Sequence, residues 1–98
     1  PTEEETEIGV WGQRHLRYIK QHRKVFYINL LTSCKLTSHL SNLDKRAERM
    51  FEDIVKSLAE NEGVTEKLKA AAPMEWVQKM NNIRERVTET VYSDVVFV

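Results

Sequence analysis

Leu36, Leu40, Leu43, Ala47, Met50, Ile54 and Leu58 recur at steps of four and three, with Phe51 and Val55 beside them. That is the period of a helix, and no strand puts these side chains on one face. It predicts a helix over 36–61 and demands other elements to cover the stripe. The stripe is wider than a strict coiled-coil seam, which favours an intramolecular core over a dimer seam. Glu52 and Lys56 stand on its outer face in the favourable i,i+4 order. Asn61-Glu62-Gly63 ends it, with Gly63 suited to the left-handed position after the last turn.

The partners of this helix are read from the same signals. After Gly12 nothing interrupts the chain until "TSCKLTS", so a first helix is expected over 12–33, with Leu16, Ile19, Phe26, Tyr27 and Leu30 on its apolar side. "VFYINLL" is apolar nearly all round, which predicts that the second half of this helix is the more deeply buried. The hydroxyls of "TSCKLTS" are expected to cap the helix that follows. Thr65 can cap a short helix over 66–72, and Pro73 fits the first turn of a last helix over 73–92. Trp76, Val77, Met80, Ile83, Val87 and Val91 form the apolar side of that helix. Three Gly and two Pro in 98 residues are too few for the turns of an all-β fold. The expected class is therefore all-α, a compact antiparallel bundle of three long helices and one short helix. Residues 1–7 are expected to form an acidic flexible N-terminal tail, 8–94 the helical domain, and 95–98 an apolar C-terminal tail. "VVFV" in that tail docks on the bundle, adds an edge strand or helix turn to a second copy, or is disordered.

The net charge is zero, yet the charges are segregated. Residues 1–7 carry −4, residues 8–43 carry +6 with no acid at all, and residues 44–98 carry −2. Such asymmetry gives the first third an electrostatic footprint of its own. On a continuous helix Arg14, Arg17, Lys20 and Lys24 fall within an arc of about 120°. A row of cations without acids suits contact with phosphates and release of counterions, and it positions a duplex without reading its sequence. These four residues are the candidate nucleic-acid-binding set, with Lys35 as an extension. The alternative is the solvated face that any surface helix needs.

Other chemistry is scarce. His15 and His22 lie roughly 10 Å apart along a helix, too far to share one metal ion. They read as surface or boundary residues, and no metal or cofactor is expected. Arg23 falls inside the apolar stripe, so an ion pair with Asp44, Glu48 or Glu52 is expected, the alternatives being a snorkelled side chain or a phosphate contact. Cys34 lacks the positioned base and oxyanion site of a nucleophile, and His39 is the only histidine near it in sequence. No Gly-rich phosphate loop or paired-carboxylate signature exists, so no enzyme is expected. Trp11 and Trp76 read as core residues. A single cysteine excludes an intramolecular disulfide and fits a reducing cytoplasm, and no apolar run is long enough to span a membrane. The chain starts at Pro1 without a methionine, so further residues upstream are expected.

"IGVWGQRHLRYIKQHRKVFYINLLTSCKL" and "MEWVQKMNNIRERVTETV" resemble the transposon-encoded TnpV family. Trp11, Gly12, Leu16, Tyr18 and His22-Arg23 match its first motif, and Leu31, Ser33, Lys35 and Leu36 its centre. Met74 to Val77 and Met80 to Arg84 match its last motif, so the likeness spans residues 8–94. Cys34 stands where the family usually has Gly, and "AAAP" replaces the usual polar run. The resemblance implies a non-enzymatic accessory protein of a mobilisable transposon, encoded beside a recombinase and likened to excisionases. It carries over no catalytic residue. The partners it suggests are duplex DNA or the recombinase, while the apolar stripe over 36–61 and the "VVFV" end leave a second copy as a further candidate. The rival to DNA binding is a protein-interaction or self-association module acting on the recombinase. Neither a compact helix-turn-helix with a Gly turn nor a winged hairpin is legible.

Overall fold

The computed structural model describes residues 8–98, and the acidic tail expected at 1–7 lies outside them. Five α-helices follow in order: α1 (Val10–His22), α2 (Lys24–Thr32), α3 (Leu36–Asn61), α4 (Glu66–Ala71) and α5 (Pro73–Val91). A π-helical turn, Tyr92–Val96, continues directly from α5. The fold is all-α, a bundle built on three long helices, and no strand occurs among the described residues. It is elongated, 54 × 29 × 18 Å with a radius of gyration of 17.0 Å, against about 13 Å for a compact chain of this length.

α3 is the axis of the bundle, about 39 Å long at 1.5 Å per residue. α1 runs antiparallel along its first half. Trp11 Nε1–H donates to Glu48 Oε1 at 3.0 Å, Gly12 N–H to Asp44 Oδ1 at 2.9 Å, and His15 meets His39. α5 runs antiparallel along the second half, with Arg86 bonded to Glu62 at 2.9 Å and Tyr92 stacked near Trp11. The hydrogen bond from Arg86 holds the Glu62 carboxyl below its ordinary pKa. Trp11, Leu43, Ala47, Met80, Ile83, Val87 and Val91 form the core, and Val95 and Val96 of the π turn complete it. Of the C-terminal apolar residues, Val95 and Val96 therefore dock on the bundle, while Phe97 and Val98 stay exposed. No helix is long and apolar enough to cross a membrane among the described residues.

The helix ends show the physics of the breaks. Gly63 has φ +74°, with Gly63 N–H on Glu60 O and Val64 N–H on Ala59 O. This is the paired-bond stop expected there, and buried Val64 packs beneath it. Cys34 adopts the same conformation at φ +61°, with Cys34 N–H on Leu31 O and Lys35 N–H on Leu30 O. Pro73 is at the first position of α5, as expected. Thr65 occupies the N-cap of α4, but its hydroxyl makes no cap bond. The hydroxyls of 32–33 turn back onto α2 carbonyls and leave Lys35 at the N-cap of α3.

Four expectations are corrected. The first helix is two helices, broken at Arg23, whose φ −137° and ψ +60° are not helical. Its second half is the shallower one: α2 has no buried residue, whereas Trp11, Gly12, His15 and Ile19 of α1 are buried. Val77 is exposed rather than on the apolar side of α5. Ion pairs among the described residues are Lys79–Glu75 and Arg86–Glu62, and the expected Glu52–Lys56 pair does not close.

Candidate nucleic-acid interface

α1 divides into two faces. Trp11, His15 and Ile19, at steps of four, turn toward the core together with Gly12. Gly12 allows the close approach: a Cβ there would collide with Ile8 Cγ2 and meet Leu40 O at 3.0 Å and Asp44 Cβ at 3.2 Å. The Asp44 carboxylate, reaching across from α3, takes the Gly12 N–H that no local side chain caps. α1 is thus anchored by α3, and its opposite face is free to carry charge.

Arg14, Arg17 and Lys20 occupy that opposite face, about 120° wide and nearly diametric to the buried residues. All three are exposed and none forms an ion pair among the described residues. Arg14 lies over the Tyr92 ring at 5.3 Å, and Lys20 over the Tyr27 ring at 5.6 Å. These contacts restrict the side chains and leave their charge uncompensated. Arg17 stands between two shallow hollows. One is lined with Arg14, Tyr18, Gln21 and Phe97, the other with Gln13, Leu16, Lys20 and Leu40.

Lys24 is not on this helix. It opens α2, beyond the break, and borders a separate hollow with His22, Arg23 and Asn29. The arc computed for one continuous helix therefore holds for Arg14, Arg17 and Lys20, while Lys24 is set by the direction of α2. Lys35 lies further on, in the turn before α3.

Arg23 finds none of the expected carboxylates. Asp44 and Glu48 are engaged by Gly12 and Trp11. The Arg23 guanidinium donates instead to the backbone oxygen of Val98 at 3.0 Å and lies 4.6 Å from the Phe26 ring centre. Its conformation breaks the helix and ties the break to the chain's last residues.

His15 is buried, not a surface residue. Its Nδ1 is 2.7 Å from Val96 O and its Nε2 is 3.0 Å from His39 Nε2. A carbonyl only accepts, so Nδ1 carries the proton, and in the uncharged pair His39 Nε2–H donates to His15 Nε2. The pair joins α1, α3 and the π turn. Burial lowers the pKa of His39, with His15, Arg46 and Arg23 acting in the same direction. The signal was present in the sequence: Trp11, His15 and Ile19 share one helical face. His22 stays exposed beside Tyr18. No three His, Cys, Asp or Glu side chains converge among the described residues.

No curated protein and no solved structure matches this chain. The family model for transposon-encoded protein TnpV matches residues 1–96, nearly all of it. With the two quoted motifs lying on α1–α2 and on α5, the chain belongs to the TnpV family of transposon-encoded proteins.

Proposed function

We propose that this transposon-encoded protein is a non-enzymatic accessory factor that grips the backbone of duplex DNA through Arg14, Arg17, Lys20 and Lys24. One observation carries the reading: the outer face of α1 presents three exposed cations without an ion pair among the described residues, in a segment with six bases and no acid. Such a face neutralises phosphates by position rather than by base readout. The anchored inner face of α1 supports the reading, because charge reversal on the outer face leaves the core contacts intact. The test is Arg17→Glu with Lys20→Glu, measured by fluorescence anisotropy on a labelled duplex. Binding is expected to fall strongly while the circular dichroism stays that of the native chain. Unchanged affinity would remove the face from the account. The exposed apolar residues of α2 favour a second reading, a module that docks on a protein such as the recombinase.

A further inference from the structure

α2 packs one face and leaves the other uncovered. Phe26, Tyr27 and Leu30 are half-buried. Val25, Ile28 and Leu31 fall within an arc of about 120° on the other side, at 75%, 51% and 50% exposure. A helix with an apolar outer stripe and no buried residue is a surface awaiting a partner.

A complementary surface lies on the same chain. α3, α4 and α5 frame an open groove of about 820 Å³. Val55, Val64, Trp76 and Met80 line it. Four glutamates and two bases also line it, so the groove lining is net acidic, whereas the bases Arg23, Lys24 and Lys35 flank the α2 stripe with no acid among residues 8–43.

We propose that α2 of one copy docks in the α3–α5 groove of a second copy, so that the chain associates head to tail. Lys24 and Lys35 bracket the α2 stripe, and Glu52 and Glu60 stand at points eight residues apart along the groove. The obvious competitor, α2 packed on α2 across a two-fold axis, brings Arg23, Lys24 and Lys35 against their own kind with no acid to offset them. The groove is the occupied site because its charge is opposite. The contact is heterologous, leaving one free stripe and one free groove at the two ends of every assembly. This proposal does not rest on DNA binding and is tested without DNA.

The experiment is sedimentation equilibrium from about 10 μM to about 1 mM. Wild type is expected to show a mass that rises steadily with concentration. Ile28→Glu, with Val25→Glu as a second stripe variant, and the double variant Glu52→Lys with Glu60→Lys are each expected to weaken association at least about tenfold. All these positions are solvent-facing or half-exposed, and circular dichroism confirms the native fold. An equimolar mixture of Ile28→Glu with the groove variant pairs the one intact groove with the one intact stripe. It is expected to give a 1:1 dimer that does not grow. A wild-type monomer throughout, stripe variants with wild-type mass, or mixed variants that stay monomeric would each overturn the proposal.

Discussion

Replacing Cys34 by glycine is expected to stabilise the protein. Cys34 sits at φ +61°, where its Cβ crowds the backbone, yet the two bonds of the turn, on Leu31 O and Leu30 O, require that conformation. A non-glycine residue held there costs about 1–2 kcal/mol. Glycine removes that cost but loses roughly 0.4–1 kcal/mol more chain entropy on folding. Cys34 is exposed, so no core contact is lost. The net gain is the difference, about 0–1.6 kcal/mol and centred near 0.8 kcal/mol, or a Tm rise of about 3–6 °C at the centre for a domain of this size. Thermal and urea unfolding in reducing buffer measure it. Cys34→Ala keeps the backbone cost and is the control, expected to stay within about 0.5 kcal/mol of wild type. A glycine variant no more stable than the alanine variant would refute the reasoning.

Three further outcomes follow from the same structure. Gly63→Ala is expected to cost about 1 kcal/mol by urea unfolding, entirely through its φ of +74°, because nothing lies within 4 Å of the added methyl. Gly12→Ala is expected to cost about 1–3 kcal/mol, since Leu40 O and Asp44 stand in its way, and loss of the Trp11–Glu48 contact should shift the Trp fluorescence. Burial of His39, beside His15, Arg46 and Arg23, lowers its pKa below 6.5, so the unfolded chain takes up the proton first. This contribution to stability is full above pH 6.5 and declines as the pH falls from there to the folded pKa. A flatter urea-midpoint profile for His39→Gln between pH 8 and pH 5 checks the assignment, and an unchanged profile counts against it.

Much of this fold is legible in the residues. The stripe of α3, the stop at Gly63, the start at Pro73 and, Val77 apart, the core side of α5 are local signals, and the structure carries them. The resemblance leads to an expectation of glycine at position 34, and Cys34 indeed takes a positive φ that favours glycine. The break at Arg23 has no local signal. No Gly or Pro marks it, and the Arg23 side chain bonds to Val98, 75 residues away. The depth of each half of 12–33 fails for a related reason. Apolar composition predicts burial only when a partner exists, and α2 has one on a single side. His15 is a polar residue accommodated in a core by two ring-nitrogen contacts, one to His39 and one to the carbonyl of Val96, which the sequence separates by 81 positions. The cationic face is half legible: its members on α1 follow from helical spacing, while Lys24 does not, because the spacing rule stops where the helix does.

The most direct test of the central claim is the salt dependence of duplex binding, by fluorescence anisotropy between about 50 and about 200 mM salt. Four phosphate contacts predict a log–log slope near −3.6, or roughly 150-fold weaker binding at the higher salt. A slope near −2.7, roughly 40-fold, would keep Arg14, Arg17 and Lys20 and remove Lys24. Absence of binding at the lower salt would contradict the account and leave the outer face of α1 to a protein partner.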